Sequence, residues 1–552
     1  MILIYYPLIL FSILGYGFFA SKKILSINSK NLGYQGIVGI FSLLIISYFS
    51  SQFFPHGKIF NLIILIVGLY FFLFYFKKIK FKIFDFYLLL FLILFYFVFI
   101  FISKNHDDFF YYHFPYILHL VENTHSIGLG NLNHGFKTHS SIFLLSSLFY
   151  LPGVDYYLFH IGPAYIMIFS NFIFLKLLLN NQNLEKYKYL SFLSLFSFIF
   201  INIFFYRLAE HGTDRSAMVL IILLVVNLIF YMNKEQTTLD NNFLKIFAII
   251  FTIIISLKAF YIIYIALFLP LILFVYKKEK SIKIFFNLNL LLCFLLFIFV
   301  ILTNFFNTGC LLFPEKNSCF FNFSWSITLE TVEILKTHYE NWAKAGSGAG
   351  YTNSLDKVIY TNNYNWFSNW IDKYFFNKVL DFILSLIFMA IISLIVFKNK
   401  KIISKNARSY KLIFYILLII GFIWFTIHPS LRYGGFHLFF LLTFIPLSLY
   451  LENYSLEIKN FKFKIKTMLT ITLLVFFTRN IDRLITENEI YSYSLIKNLN
   501  YSIDSEEAFK IQKRFKKLKE NKKLCDQKSQ KCNNELYKLK KIYNNRYIIS
   551  RN

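Results

Sequence analysis

The sequence contains few charged residues: Asp, Glu, Lys and Arg make up only 16% of its 552 residues, against about 25% in a typical soluble chain. Hydrophobic residues make up 57%. A water-soluble globule could not bury this much apolar surface, and a disordered chain would contain far less of it. The low charge therefore excludes a cytosolic enzyme and a disordered protein.

Acidic residues are the scarcer charged group, since 57 Lys and Arg face 29 Asp and Glu for a net charge of +28. In a soluble protein such an excess would suggest nucleic-acid binding. Here the lysines lie between long apolar runs, where they indicate membrane topology and contact with anionic lipid. We therefore expect membrane lipids, and no nucleic acid, as partners.

Several enzyme and transporter signatures are also missing. No histidine pair has the HExxH spacing of a zinc protease, and the glycine-rich stretch 343–350 is not followed by GK[ST], so no ATP site is predicted. We find no convincing internal repeat, which many transporters contain. These absences favour chemistry that needs no bound nucleotide.

Long apolar runs are what the sequence does have. Eleven uninterrupted runs approach the roughly 20 residues that a helix needs to cross the hydrocarbon core. The run 243–276 fits two shorter helices split at Lys258, and 467–478 is a further short candidate. Residues 142–152 are too short to cross and predict a re-entrant or interfacial helix. The predicted fold class is an all-α polytopic membrane protein with about 11–14 transmembrane helices.

Lysine-rich loops alternate with loops that have few lysines, and basic loops face the cytoplasm. This alternation places the remaining loops and the C-terminal tail on the outer side of a bacterial cytoplasmic (inner) membrane, facing the periplasm or exterior. The chain then divides into N-terminal helices, a first outer loop, central helices, a large outer loop, C-terminal helices and a basic tail, at 1–102, 103–155, 156–303, 304–378, 379–478 and 479–552.

The cysteines give an independent indication of sidedness. Cys310 and Cys319 lie in the large outer loop, and Cys525 and Cys532 lie in the tail. Because disulfides persist outside the cytoplasm, we expect each pair to form a local disulfide; four free thiols are the alternative. Neither pair has zinc-finger spacing with a partner pair.

Two adjacent carboxylates, Asp107 and Asp108, emerge where the fourth apolar run ends. Such a pair repels itself and needs a cation, an arginine or a proton. This suits a general base or a divalent metal ligand; an ordinary acidic helix end is the alternative. Further along the same loop, His134 and His139 lie in a donor-rich block, 131–141, which suits either the polar floor of a ligand site or a turn and helix cap.

Charged side chains between apolar runs form a second group of candidates. Glu210, Asp214 and Arg215 lie in a short outer loop, where charge is costly unless it pairs or lines a cavity; a self-neutralising salt-bridge cluster is the alternative. Lys258 is alone in its apolar run, and Arg432 is followed by Tyr433 and two glycines. Both cations suit a phosphate ligand, although Lys258 at a hairpin tip also suits simple snorkelling to the interface.

Taken together, this layout resembles the GT-C superfamily of integral membrane glycosyltransferases. The resemblance is carried by Asp107-Asp108 just after an early span, by the juxtamembrane segment 109–123, and by a short acidic second loop with Asp214. Over residues 80–450 the chain is most similar to poorly characterised bacterial polytopic members. These are distantly related to protein O-mannosyltransferases, oligosaccharyltransferases and aminoarabinose transferases. The chain departs from the superfamily in having four spans before the acidic loop and a basic tail in place of a folded C-terminal domain.

The resemblance implies a GT-C-like bundle whose outer loops form the active site. It implies an enzyme that transfers a hexose or pentose, with inversion, from a polyprenyl-phosphate donor to a glycan, lipid or protein acceptor. The implied catalytic carboxylates are Asp107, Asp108 and Asp214, with Asp107 and Asp108 as ligands of a divalent ion, Mg²⁺ or Mn²⁺. The implied substrate- and phosphate-binding side chains are those of Arg432, Lys258, Arg215, His134, His139 and Tyr433.

Two other functions fit the same residues. An O-antigen polymerase or ligase would also bind lipid-linked sugar on its outer side, but it would depend on arginine and histidine and not on Asp107 or Asp108. A flippase or transporter of lipid-linked sugars would place broken helices and buried charges in mid-membrane, whereas the charges here cluster at one face. The paired carboxylates therefore favour glycosyl transfer.

Overall fold

The computed structural model describes residues 1–551 except 79–81, 103–105, 234–239, 281–284, 286, 349–356, 399–409, 455–457, 492–499, 528–536 and 544–545. Helices form most of the described chain, and a two-stranded antiparallel hairpin follows them near the C-terminus. The elements are α1 (Ile2–Phe19), α2 (Leu32–Ser51), α3 (Lys58–Lys78), α4 (Ile83–Phe95), α5 (Phe114–Glu122), α6 (Ser141–Ser147), α7 (Gly162–Leu178), α8 (Asn181–Lys186), α9 (Lys188–Phe204), α10 (Leu208–His211), α11 (Thr213–Asn233), α12 (Asn241–Leu257), α13 (Phe268–Glu279), α14 (Leu288–Thr308), α15 (Leu329–Lys344), α16 (Lys357–Thr361), α17 (Trp366–Trp370), α18 (Leu380–Phe397), α19 (Lys411–Ile427), α20 (Gly435–Glu452), α21 (Ile458–Tyr491), α22 (Ser505–Gln527), β1 (Tyr537–Tyr543) and β2 (Arg546–Arg551).

Nine helices among the described residues are long and apolar enough to cross a membrane. A helix satisfies its own backbone hydrogen bonds, which lipid cannot do, so long apolar runs fold as helices in a bilayer. The nine are Ile2–Ile24, Leu32–Ser51, Lys58–Lys78, Ile83–Ile100, Thr213–Asn233, Ala259–Lys278, Leu288–Thr308, Trp366–Phe397 and Gly435–Glu452. Four shorter apolar helices, α7, α9, α12 and α19, have 17 residues each, the lower end of the crossing range. The chain is thus a multi-pass, all-α membrane protein, as its composition predicts.

Burial separates the interior helices from those on the outside of the bundle. α11 lies inside, because 83% of its apolar 18-residue stretch is buried within the protein. The corresponding stretches of α3 and of the span Trp366–Phe397 are only 28% buried. Large apolar side chains such as Ile66, Leu94 and Ile395 are exposed on the outer helices. Exposed apolar surface of this extent is what lipid covers in a membrane protein.

The break at Lys258 lies where the apolar run predicts it. α12 ends at Leu257, and a 3₁₀ segment leads from Lys258 into α13. The hydroxyls of Ser140 and Ser141, at the start of α6, each donate to a carbonyl in the last turn of α12 at 2.8 Å. These bonds satisfy carbonyls that a helix end leaves without partners. They fix the end of α12 against α6, a helix of seven residues that is too short to cross, and so position Lys258.

The helix that contains the last apolar run, α21, extends beyond that run. α21 contains 34 residues, whereas the run covers 467–478. The helix continues because its later charged side chains find partners, with the Arg483 guanidinium 3.1 Å from a Glu210 carboxylate oxygen. The structure therefore places 479–491 in this helix, and the predicted boundary at residue 479 falls inside it.

The C-terminal tail is folded, whereas the sequence predicts a basic tail in place of a folded domain. The buried apolar face of α22 consists of Ala508, Ile511, Phe515 and Leu518. This helical spacing is visible in the sequence, but the many lysines around it suggest a solvated segment. β2 pairs with the first outer loop, because Ile127 N donates to Tyr547 O at 2.8 Å and Ile549 N donates to Ile127 O at 2.9 Å. The tail thus lies on the same side of the bundle as that loop.

Candidate active site at the outer loops

Four charged side chains from distant segments meet at one end of the bundle. Arg432 lies at their centre: its Nη2 donates to Asp108 Oδ2 at 2.7 Å and its Nε donates to Asp214 Oδ2 at 3.0 Å. Asp214 also holds Lys258, whose Nζ lies 2.9 Å from Asp214 Oδ1. We call Asp108, Arg432, Asp214 and Lys258 the charge cluster. All four are candidates that the sequence identifies, although it does not predict which of them pair.

Helix ends and the turn between two helices place three members of the charge cluster. Asp214 lies in the first turn of α11, where the helix dipole favours a carboxylate. Lys258 follows the last residue of α12, where the dipole favours a cation. Arg432 lies in the short turn between α19 and α20, and Gly434 follows it with φ of +136°. A side chain at this φ would be strained, so the glycine at 434 lets α20 begin at Gly435, three residues after Arg432.

The charge cluster is buried on one side and open on the other. The Asp214 side chain is 5% exposed, whereas those of Asp108, Lys258 and Arg432 are 28%, 32% and 39% exposed. A buried carboxylate is stable only when it is paired, and Asp214 is paired with both cations. Asp214 therefore anchors the two cations, while Asp108, Lys258 and Arg432 each keep part of their side chain exposed.

The structure distinguishes the two adjacent carboxylates. Asp107 is exposed, whereas Asp108 is half-buried and bonds Arg432 through Oδ2. Burial, the largest single effect, acts to raise the pKa of Asp108, but the charge and hydrogen bond of Arg432, together with His106 and His113, outweigh it and hold that pKa below its usual value. Burial likewise acts to lower the pKa of Arg432, and the charge of Asp214, with a further contribution from Asp108, raises it instead. Asp108 is thus ionised at neutral pH.

Tyrosine rings lie beside the charge cluster. Lys258 Nζ lies 5.2 Å from the centre of the Tyr433 ring, a cation–π contact. Tyr112 packs so closely on Gly135 that a Cβ at residue 135 would collide with the Tyr112 ring. Burial, and then the charge of Asp108, raise the pKa of Tyr112 well above its usual value. Tyr112 therefore stays neutral near the site.

A second group of charges adjoins the first. Glu210 accepts hydrogen bonds from Arg207 Nε at 2.9 Å and from Arg483 Nη1 at 3.1 Å. Arg483 Nη1 also lies 3.7 Å from Glu487 Oε1. Arg483 does not stand out in the sequence, because it lies beyond the last apolar run. A sequence indication of its pairing is the glutamate four residues later, Glu487, but an arginine and a glutamate at this spacing are common on any exposed helix.

Arg215 lies between the two groups of charges without an ion pair. Its guanidinium carbon lies 5.6 Å from the ring centre of Phe205 and 6.0 Å from that of Phe436. Within the part of the chain that the structure describes, no carboxylate forms an ion pair with it. Arg215 follows Asp214 directly in the sequence, so it is a cation beside the charge cluster that is available to an anionic ligand.

The structure does not bring the two candidate histidines into the charge cluster. His139 Nε2 lies 2.7 Å from the Tyr48 hydroxyl, and His139 Nδ1 lies 3.1 Å from Asn304 Oδ1. Both ring nitrogens thus have protein partners, on α2 and α14. His134 Nε2 lies 3.3 Å from the hydroxyl of Tyr339, and burial lowers the pKa of His134 to about 4. Neighbouring hydroxyl and amide groups thus engage both histidines of the donor-rich block, and their role as ligand-binding residues stays a prediction.

The described residues offer a divalent metal ion no set of ligands. They contain no group of three or more His, Cys, Asp or Glu that could hold one. Asp108 is bonded to Arg432 and Asp107 is exposed beside it. The guanidinium thus supplies the positive charge that the adjacent carboxylates require. The metal stays a prediction from the sequence, and no step proposed below uses one.

One of the two predicted disulfides falls within the described residues. Cys310 and Cys319 are joined, with an S–S distance of 2.06 Å, in the loop that follows α14. Cys532 lies outside the described residues, so the pair that it forms with Cys525 stays a prediction. Cys293 is a buried free thiol within α14.

These features define a class of protein: a multi-pass, all-α membrane protein that gathers opposite charges at the loop end of its helical bundle. The chain belongs to a family described as a domain of unknown function (DUF8201), whose model matches residues 1–440. The match includes all four members of the charge cluster and Arg215, and it ends before α21, α22 and the hairpin. No curated protein and no solved structure matches the chain.

Proposed function

We propose that the protein is a GT-C-type glycosyltransferase of a bacterial cytoplasmic membrane. It would transfer a sugar from a polyprenyl-phosphate donor to an acceptor on the outer side. The observation that carries the proposal is the charge cluster, in which a partly exposed carboxylate, Asp108, lies next to the partly exposed cation Arg432 at the loop end of an apolar bundle. Such a site offers a carboxylate to the acceptor and cations to a lipid phosphate.

The acceptor half of the reaction would use Asp108. Its Oδ2 is held by Arg432, and its Oδ1 accepts no hydrogen bond within the described residues, which leaves it for an acceptor hydroxyl or amine. As the acceptor atom bonds to the anomeric carbon, its proton passes to the Asp108 carboxylate. Attack opposite the departing phosphate inverts the anomeric carbon. Asp214 is buried and bound to two cations, so it is a positioning residue.

The donor half of the reaction requires positive charge near the lipid phosphate. When the bond between the anomeric carbon and the phosphate oxygen breaks, negative charge grows on that oxygen. Arg215 has no ion pair to give up within the described residues, so it can bind phosphate without breaking an existing pair. Arg432 and Lys258, both partly exposed, would add charge at the same side. The activated donor supplies the energy, and no nucleotide is needed.

The position of the charges favours an enzyme over a carrier. Asp214 lies in the first turn of α11 and Lys258 follows the end of α12, so these charges lie at helix ends and not halfway along a span. Transporters hold substrate near the bilayer midplane. Arg215, which forms no ion pair with any described residue, supports one second candidate, a polymerase or ligase of lipid-linked glycans, which would use Arg215 and Arg432 without a catalytic carboxylate.

The two adjacent aspartates offer a matched test. Asp108→Asn and Asp107→Asn remove the same charge from neighbouring residues, of which one bonds Arg432 and the other is exposed. In proteoliposomes supplied with a panel of polyprenyl-phosphate-linked sugars, we expect Asp108→Asn to lower sugar transfer by about 100-fold or more. Asp107→Asn should leave it within about threefold of the wild type, since general-base catalysis is not removed. Release of polyprenyl phosphate, followed by chromatography, measures both.

Near-wild-type transfer in Asp108→Asn would remove the carboxylate role and favour the polymerase or ligase. Loss in both variants, with correct insertion of both, would show that the charge of the pair matters and not the contact of Asp108 with Arg432.

A further inference from the structure

The C-terminal unit, defined as α22 with the β1–β2 hairpin, is strongly basic. Residues 505–527 and 537–551 contain 13 Lys and Arg against 4 Asp and Glu, and the hairpin residues 537–551 contain no acidic residue. The exposed face of α22 carries the side chains of Lys510, Lys513, Lys516, Lys517 and Lys523. We call these five residues the lysine face. Three further exposed lysines lie on β1, namely Lys538, Lys540 and Lys541.

The opposite, apolar face of α22 is covered by protein. Phe515 packs on the rings of His119 and Tyr547, with ring centres 5.0 and 5.6 Å away. Gln512 Nε2 donates to Pro115 O at 3.0 Å, and Lys519 Nζ donates to Asn123 Oδ1 at 2.6 Å. An interfacial helix binds a membrane by burying its apolar face in lipid. Since α22 has used that face against the first outer loop, the lysine face is directed to water.

α22 begins beside the candidate active site. Tyr501, just before it, packs on Phe109 and Phe110 with ring centres 5.9 and 6.3 Å apart, and these two residues follow Asp108 directly in the chain. Phe509 packs on Phe114 at 5.5 Å. From this end the lysine face runs for about 20 Å along the helix, at 1.5 Å per residue. It therefore forms a basic path that starts near the charge cluster and leads away from it.

We propose that the lysine face binds an anionic glycan on the outer side of the membrane. A path of this length presents a lysine at nearly every helical turn, which suits a chain that carries repeated carboxylate or phosphate groups better than it suits a single small anion. That this glycan is the acceptor of the transferred sugar rests on the proposed function. The lysine face would then hold the chain while its end reaches Asp108.

Binding of a model polyanion tests the proposal directly. The full chain is placed in nanodiscs of zwitterionic phosphatidylcholine, and fluorescent oligogalacturonate, a linear uronic-acid chain, is titrated by anisotropy beside a neutral dextran oligomer. The test variant removes three charges from the lysine face, with Lys513→Gln, Lys516→Gln and Lys517→Gln. The matched control removes three exposed charges at the opposite end of the bundle, with Lys277→Gln, Lys459→Gln and Lys466→Gln.

We expect the wild type to bind oligogalacturonate and not dextran, with an affinity that falls as salt is added. The test variant should bind on the order of tenfold more weakly, as loss of several phosphate-type contacts does in other polyanion complexes. The control variant should stay within about twofold of the wild type, because distant charges are screened. Equal affinities in the test variant and the wild type would overturn the proposal.

A lipid occupant gives a different result. Vesicles that contain phosphatidylglycerol would then bind the nanodiscs in a way that depends on the lysine face, while oligogalacturonate would not bind, and this outcome also overturns the proposal. The titrations contain no sugar donor. Loss of glycan binding with intact transfer therefore refutes only this inference, whereas intact binding with unaltered transfer in Asp108→Asn refutes the proposed function.

Discussion

Removal of the buried carboxylate of Asp214 tests the architecture of the charge cluster. Asp214→Asn leaves Arg432 and Lys258 close together without the anion that holds both. Breaking a buried ion pair by removing one partner costs about 3–5 kcal/mol. Because Lys258 and Arg432 are 32% and 39% exposed, water screens part of their repulsion. We therefore expect the free energy of unfolding to fall by about 2–3 kcal/mol.

This loss should lower the midpoint of thermal unfolding by about 2–6 °C. The assay is heating of detergent-solubilised protein followed by fluorescence-detected size-exclusion chromatography. Adding Lys258→Met to Asp214→Asn removes one of the two unpaired cations and should restore part of the midpoint. Asp107→Asn, at an exposed residue, is the charge-matched control and should leave it unchanged. An unchanged midpoint in Asp214→Asn, or a further fall on adding Lys258→Met, would contradict the proposed pairing.

Three further predictions follow from other parts of the structure. Burial lowers the pKa of both His113 and His119 to about 3. Because the unfolded chain binds these protons near pH 6.5, the free energy of unfolding should fall as the pH drops from 6.5 towards 3, by about 2 kcal/mol per histidine at pH 5. A thermal midpoint that does not change between pH 7 and pH 5 would disprove this. Phe515→Ala should weaken docking of the C-terminal unit by about 3 kcal/mol and speed its limited proteolysis, whereas wild-type protection would show that the contact matters little. Arg215→Gln should weaken binding of undecaprenyl phosphate about tenfold in native mass spectrometry. Arg207→Gln, at an arginine that is already ion-paired, should stay within about twofold of the wild type. Equal losses in the two variants would show that Arg215 is not the phosphate-binding arginine.

The sequence identifies the residue types of the site better than their arrangement. Asp108, Asp214, Lys258 and Arg432 each stand out because a charge beside an apolar run is costly unless it has a partner. Which charges pair depends on helix packing, since Arg432 bonds an aspartate 324 residues earlier in the chain. No local pattern encodes a contact at that separation, so the pairing required the fold.

Two features were hard to interpret from the sequence, for physical reasons. The polar block around His139 suggests a ligand site. Its hydrogen-bond partners, Tyr48 and Asn304, lie on two apolar helices, and single polar residues within such helices do not indicate what they contact. α22 carries so many lysines that its four buried apolar positions are easily overlooked, although their spacing is helical. The helical class and the break at Lys258 were predictable because both follow from local hydropathy.

The pairing of β2 with Ile127 has a consequence for how the protein is made. Ile127 and its partner Ile548 are separated by about 420 residues of chain, which a ribosome adds in roughly 20–80 s at about 5–20 residues per second. The first outer loop is synthesised early, and its backbone at Ile127 lacks its partner strand throughout that interval. Folding of this loop therefore depends on a strand that is made much later, and a ribosome that stops before residue 546 leaves the loop beside Asp108 without its pairing to β2.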